Sequence, residues 1–495
     1  MSKKFQNYVS GTWVDAKSGK VFENRNPAHW DTVLGTFPLS GKEDVDEAVR
    51  AARRAFESWR LVPAPKRGDI MRAVGDIMTR RKEELALQMT REMGKVLLET
   101  RGDVQEGIDT AYYAASEGRR LFGHTVPSEL PNKFNMAVRM PVGVAAIITP
   151  WNFPMAIPTW KIFPALVSGN TVVFKPASDT PATATALVEI LVEAGVPPGV
   201  VNIVHGGGSE VGMALVEHPD IDLISFTGST SVGKKISEVA SKTLKRVSLE
   251  LGGKNAQIVM DDANLDLALE GVLWGAFGTT GQRCTATSRL IIHEPVYDKF
   301  LSMVVDKSKK MRLGDGSDEG VDVGPCVNEN QRKTVDSYVQ IGRSEGAKVV
   351  AGGTIASGNG LSKGWFYEPT VLADVTQEMR VAKEEIFGPV LSVIKVRSLD
   401  EAIAVSNNTM YGLSSSIYTQ DINNAYRAIR DLKAGITYVN APTIGAEAHM
   451  PFGGVKETGN GHREGGWTVY DFFTEWKTVY VDYSGKLQRA QIDNS

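Results

Sequence analysis

The sequence predicts an α/β protein built on parallel sheets with helices on both faces. Three observations carry this. Between residues 143 and 252 a strand-loop-helix unit recurs; the same mixture returns from 253 to about 450; and 495 residues suffice for two to four domains, each with its own core. Residues 144–149, 171–175, 200–204, 223–227 and 247–251 read as short apolar strands, with helical patterns at 182–194, 210–217 and 232–241 between them. Parallel strands covered on both faces are continuous apolar runs, and ligands gather at their carboxyl ends.

The first 120 residues begin with short strand-like pieces and turn helical. Val45, Ala48, Val49, Ala52, Phe56 and Trp59 recur at helical spacing, a second helix covers about 66–89, and a third about 99–122. At 125–140 the pattern becomes extended, Phe134, Met136, Val138 and Met140 alternating with Asn135, Ala137 and Arg139, which reads as one inserted strand. The tail from 467 to 483 is aromatic-rich, and in 476–483 both alternating faces carry large apolar groups. Such a strand is explained by burial against a partner subunit, so a homodimer or homotetramer is expected.

Composition removes several classes. Lys and Arg number 55 against 58 Asp and Glu, a formal charge of −3, so nothing global steers the chain toward nucleic acid or a membrane surface. No apolar run approaches the roughly 20 residues that cross a bilayer, and the first residues show no apolar leader region. Two cysteines, Cys284 and Cys326, without CxxC spacing fit a reducing, cytoplasmic home. The seven histidines show neither HxxH nor HExxH spacing, so no metal site is expected.

The chemistry centres on GTTGQRCTATSR (278–289), with Cys284 on a glycine-punctuated loop between an apolar helical pattern and Leu290-Ile291-Ile292. A structural thiol is the other reading. Glu250 ends the strand pattern 247–251 and leads into Gly252-Gly253, where an exposed edge carboxylate is the ordinary alternative. Asn152, in ITPWNFP, offers a neutral donor suited to an oxyanion or an Asx-turn. Lys175 and Ser178 follow another strand in FKPASDTP. GGGSEVG (206–212) and FTGSTSVGKK (226–235) follow strands too, and each offers backbone N–H groups to a phosphate or serves as a plain turn. The second reads GxxxxGK, but Lys235 replaces the Ser or Thr of a nucleotide-triphosphatase loop.

PWNFP, KPASDTP, FTGST, LELGGKN, GQRCT, EEIFGPV (384–390) and PFGG.K (451–456) stand in the order found in the NAD(P)-dependent aldehyde dehydrogenase family, which the whole chain resembles. The resemblance implies a Rossmann-type cofactor domain (1–122 and 142–251), an α/β catalytic domain (252–466) and a β oligomerisation segment (123–141 and 467–495). It implies Cys284 as nucleophile, Glu250 as general base and Asn152 as oxyanion donor. Ile148, Trp151, Lys175, Ser178, Gly208, Gly212, Phe226, Gly228, Ser229, Val232, Leu251, Glu385 and Phe387 match cofactor contacts, with Glu385 on the nicotinamide ribose. Phe153, Trp160 and Phe452 would wall the substrate tunnel. Arg283 would be a structural ion-pair partner or a fork for an anion; members sharing GQRC lean the substrate toward a semialdehyde acid. Ser178 stands where NAD-preferring members often carry Glu, so NADP+ is expected to be accepted, alone or beside NAD+. GNGHREGG (459–466) carries one residue more than the usual GxGRExG and, from sequence, lies beyond the chemistry. A cofactor-free cysteine acyl hydrolase using Cys284 and Glu250, or a silent binding homologue, are the competing classes.

Overall fold

The computed structural model describes residues 3–358 and 360–493; the outermost residues of the expected first and last segments, and residue 359, lie outside that range. Two seven-stranded sheets organise it. In the first, strands Arg246–Glu250, Leu223–Thr227, Val144–Ile148, Thr171–Lys175 and Val201–Ile203 run parallel in that spatial order, and the antiparallel pair Asn7–Val9 and Thr12–Val14 completes the far edge. Successive side chains leave on opposite faces. Ala145, Ile147, Val172 and Phe174 join one core with helices Ala64–Arg80, Lys82–Met93 and Leu97–Glu117, whereas Ala146, Ile148 and Val173 join another with helices Lys42–Trp59 and Thr230–Ser241.

The second sheet follows the same rule. Its order is Lys348–Ala351, Thr370–Ala373, Val390–Val396, Thr287–His293, Asn255–Val259, Ser414–Tyr418 and Ile436–Val439, all parallel except the first. Ile258, Ile291 and Ile394 face one core, and Val259, Leu290, Ile292 and Val393 the other. At about 1.5–3 kcal/mol for each fully buried aliphatic side chain, these alternating sets hold both sheets flat against their helices.

Several local expectations change. The inserted stretch is a hairpin, His124–Pro127 and Lys133–Pro141, rather than one strand; Asn132, at φ 57°, turns the chain. The helix expected over 66–89 breaks at Arg81 (φ −99°, ψ 9°), so that Ile77 and Met78 before the break and Leu85 and Met89 after it reach the same core. Helix Ala156–Ser168 lacks an amphipathic signature because all of its residues are buried.

Strand Thr474–Asp482 pairs antiparallel with Lys133–Pro141 along its length, making a three-stranded sheet with His124–Pro127. Trp476 (47% exposed), Tyr480 (64%) and Tyr483 (67%) lie open on or beside it. The preceding helix Val469–Phe473 is buried in the first core.

Candidate active site

The Cys284 loop is built under strain. Thr279 (φ 53°, ψ 28°), Thr280 (φ 59°, ψ 32°) and Gly281 (φ 67°) lie in succession in the left-handed region, which costs a β-branched residue about 1–2 kcal/mol. Buried hydrogen bonds hold it there. Glu99 Oε1 accepts the Thr279 N–H (2.7 Å), Thr280 Oγ1 donates to the Gly324 carbonyl (3.0 Å), and Gln282 Oε1 accepts the Val327 N–H (2.9 Å). Asn255 Nδ2 donates to the carbonyls of Cys284 (2.8 Å) and Ala286 (2.9 Å). Gly253 permits this approach, because a Cβ on it would lie 2.3 Å from the Cys284 carbonyl oxygen. The Cys284 side chain is half-buried and unbridged. Burial first, then Glu385 and Glu250, push its thiol well above the ordinary range.

Glu250 is not an exposed edge carboxylate, although its strand is the sheet edge. The segment after Val455 covers that edge: the Leu251 N–H donates to the Thr458 carbonyl (2.7 Å) and the Leu249 N–H to Asn460 Oδ1 (3.0 Å). Both carboxylate oxygens of Glu250 are buried without a hydrogen-bond partner among the described residues. Desolvation, then the Glu464 carboxylate, raise its pKa well above the usual value, against Lys161 and Arg463. Glu464 forms a buried ion pair with Lys161, which also donates to Ser225 Oγ (3.0 Å). The stretch 459–466 therefore does not lie beyond the chemistry. It carries Glu464 to the site, locked by reciprocal backbone bonds with Phe452 (2.6 and 2.7 Å).

Cys284, Glu250, Glu464 and Arg283 share the wall of one cavity of about 470 Å³, with Phe153, Trp160 and Phe452 among its aromatic lining. Trp160 and Phe452 are in ring contact at 4.7 Å. Arg283 donates through Nε to Thr279 Oγ1 (2.9 Å) and pairs through Nη2 with buried Glu99 (3.2 Å), under the rings of Trp274 (4.9 Å) and Phe153 (5.6 Å). Asn152 is buried, next in the chain to the wall residue Phe153. Its carbonyl accepts from Lys95 Nζ (2.9 Å), itself in a buried ion pair with Asp103 (2.7 Å), and its Oδ1 has no partner among the described residues, so no Asx-turn forms.

The other sequence-selected residues gather at the carboxyl edge of the first sheet. Ile148 and Lys175 end their strands. Lys175 is buried, its Nζ donating to the Pro176 carbonyl (2.7 Å), and burial pulls its pKa down to about 8. Ser178 Oγ donates to the Gly206 carbonyl (3.3 Å). Asp179 Oδ1 accepts from Asn328 Nδ2 (2.9 Å) while staying close enough to Lys175 for the two charges to act on each other. Gly208–Gly212 is a wide π-helical turn, and Gly208 leaves open space where a Cβ would stand. Phe226 lies over Gly228, where a Cβ would meet the ring at 2.4 Å, and Leu251 packs on Gly233. Ser229 caps helix Thr230–Ser241, with Val232 exposed on its first turn. Across the cleft, Phe387, at φ 56°, meets Trp151 edge-on at 5.3 Å. Glu385 accepts the Gly253 N–H (2.9 Å), with burial raising its pKa to about 7. Bare backbone, a helix N-terminus and a buried lysine thus stand together at the carboxyl edge of the first sheet, the kind of place where phosphates are held in such folds.

The model of the aldehyde dehydrogenase family matches residues 13–479. The chain belongs to that family. It is 45% identical to the alpha-ketoglutarate semialdehyde dehydrogenase of Haloferax volcanii over 98% of this chain and 100% of that one. It is 44% identical to the 2,5-dioxopentanoate dehydrogenase of Saccharolobus solfataricus over 97% and 99%. The solved betaine aldehyde dehydrogenase of Staphylococcus aureus in complex with NAD+ superimposes with a TM-score of 0.95 at 35% identity, covering 97% of this chain and 95% of that one. This aldehyde dehydrogenase accordingly oxidises aldehydes with a nicotinamide dinucleotide.

Sequence reasoning did not select Glu464, Lys161, Lys95, Asp103 or Glu99. A lysine within the otherwise apolar AIPTWKIFPALV was the available signal for Lys161. No group of three or more metal-ligating side chains is present among the described residues.

Proposed function

We propose that this aldehyde dehydrogenase works through Cys284 as nucleophile, Glu250 as base and Asn152 as oxyanion donor. One observation carries the reading: a thiol and an unpartnered buried carboxylate face the same cavity. Once the Cys284 thiol has released its proton to solvent, attack of the thiolate on the aldehyde carbon gives a thiohemiacetal whose oxyanion the Asn152 amide and the Cys284 N–H hold. The bound dinucleotide supplies the hydride acceptor. Cys284 then carries the acyl group as a thioester, and Glu250 removes a proton from the water that cleaves it. The raised pKa of Glu250 suits it to accept that proton. Lys175, Ser178, Gly208, Gly212, Phe226, Gly228 and Ser229 hold the adenosine and pyrophosphate half of the cofactor, with Ile148, Val232 and Leu251 as apolar walls; Trp151, Glu385 and Phe387 orient the nicotinamide half.

The substrate class in this reading is a semialdehyde acid. The relatives' activities support it, and Arg283 lines the cavity beside the nucleophile, where a substrate carboxylate would share its guanidinium with Glu99 and Thr279, the partners it already holds. Phe153, Trp160 and Phe452 wall the carbon chain. Ser178, in place of a repelling carboxylate, and the positive charge of Lys175 on the same loop support acceptance of NADP+, alone or beside NAD+, against Asp179, whose charge lies near Lys175. Residues 1–122 and 142–251 form the cofactor domain, 252–466 the catalytic domain, and 123–141 with 467–495 the oligomerisation segment. The exposed aromatic groups on the three-stranded sheet support a homodimer or homotetramer. Two unbridged cysteines support a cytoplasmic setting.

Rapid mixing with substrate and cofactor tests the mechanism. Cys284→Ala should give no reduced nicotinamide, and Glu250→Gln should give one burst per site with little turnover after it. Substantial dehydrogenase activity in Cys284→Ala would overturn the covalent scheme.

A further inference from the structure

Glu106 lies on helix Leu97–Glu117, three residues beyond the buried Asp103, and reaches the wall of the catalytic cavity that Arg283 and Cys284 also line. It stands at a neck. The same side chain borders a second hollow of about 430 Å³ on the outer side, shared with Gly102, Asp109, Ala446, Glu447 and His449. Its Oε1 is buried and has no hydrogen-bond partner among the described residues. A buried carboxyl oxygen left without a partner costs about 1–3 kcal/mol, and none of the proposed catalytic steps uses this one.

Its surroundings decide its form. Burial, then Asp103, raise the Glu106 pKa to about 8, with Lys95 and Arg283 opposing and Asp109 adding to the rise. Glu99 faces the same space through the cavity wall, and Tyr438 and Glu447 approach from the opposite domain. At neutral pH the group is therefore a carboxylic acid, which donates one hydrogen bond, rather than an anion that would repel a carboxylated substrate.

We propose that Glu106 is a specificity-determining residue that donates a hydrogen bond to an oxygen on the carbon next to the substrate's carboxylate, so that the site selects semialdehydes of 2-oxo acids over simple semialdehyde acids. This rests on the reading of Arg283 as the carboxylate partner. Arg283, keeping its pair with Glu99, takes the carboxylate, and the Glu106 carboxyl on the wall of the same cavity takes the 2-oxo oxygen. A site built around such a donor rejects the analogue lacking the acceptor more strongly than a size difference alone would, because its own polar group is then left unpaired.

The test compares 2,5-dioxopentanoate with 5-oxopentanoate, with pentanal and betaine aldehyde as neutral and cationic references, in wild type, Glu106→Leu and Glu106→Gln. In wild type the 2-oxo substrate should have the higher kcat/KM at pH 7, and the preference should fall as pH rises through about 8, where the donor ionises. Glu106→Leu should reduce the preference at least tenfold at pH 7, and Glu106→Gln, which keeps a neutral donor, should restore it and remove its pH dependence. Titration of the products should agree, Glu106→Leu weakening 2-oxoglutarate more than glutarate. If both carboxylated aldehydes are preferred to pentanal but the Glu106 variants leave the ratio unmoved, the role of Glu106 is overturned. If wild type favours pentanal or betaine aldehyde instead, the semialdehyde reading itself fails, and the Glu106 proposal with it.

Discussion

Replacing Gly453 by alanine places a methyl group where the Glu250 carboxylate lies. A Cβ on Gly453 would sit 2.5 Å from Glu250 Oε1, 2.8 Å from Arg463 Cδ and 3.2 Å from Glu250 Cδ, at a backbone φ of +148°. Cβ contacts inside 3.0 Å are essentially never seen, so the softer partner, the Glu250 side chain, must withdraw by at least about 0.5 Å. Misplacing a reacting group by about 1 Å costs on the order of 100-fold, and half that displacement costs roughly tenfold. The strained backbone adds about 1–3 kcal/mol of destabilisation. If Glu250 acts on the thioester as proposed, Gly453→Ala should keep a full burst of reduced nicotinamide in stopped flow while its steady rate falls about tenfold. Thermal melting and circular dichroism would check that the variant is folded. A lost burst would place Gly453 in the acylation step, and an unchanged steady rate would show that the carboxylate does not need its present position.

Three further outcomes follow from the same structure. Glu250 has a raised pKa and in the proposed mechanism acts as an anion, so the steady rate should climb as pH rises through that pKa; Glu464→Gln, by removing the like charge beside it, should move the rising limb to lower pH, and a limb that stays put would separate Glu464 from the base. Ser178→Glu should shift the ratio of kcat/KM toward NAD+ by about 1–3 kcal/mol through repulsion of the 2′-phosphate, and an unmoved ratio would locate the ribose pocket elsewhere. Deleting residues 474–495 should yield a smaller assembly in sedimentation while the first core survives, because Val469, Tyr470, Phe472 and Phe473 remain. Deleting everything after Gly466 should give insoluble protein, since those four buried side chains go too. A full-length chain that sediments as a monomer at micromolar concentration would remove the assembly role from the tail.

The alternating parallel architecture was legible in the order of residues because buried strands need continuous apolar runs. The strands at 171–175 and 223–227 were read with the bounds they have. The motif series likewise singled out Cys284 and Glu250, the half-buried thiol and the unpartnered carboxylate of the cavity, because a reactive group at the end of a strand must be flanked by small residues that leave marks in sequence. Helix Ala156–Ser168 escaped because periodicity reports a boundary between core and water, and a helix with no wet face has none. Only the tertiary structure decided the electrostatics. Lys161 and Glu464 are 303 residues apart and meet in a buried ion pair; Arg283 and Glu99 are 184 apart and share the wall of the site. A carboxylate's pKa depends on burial and on charges brought near it by the fold, so neither the raised pKa of Glu250 nor that of Glu106 is written in the residues around it. The sequence alone determined that Glu250 ends a strand and that Cys284 lies on a loop between packed elements; the packing around them determined which charges each one meets.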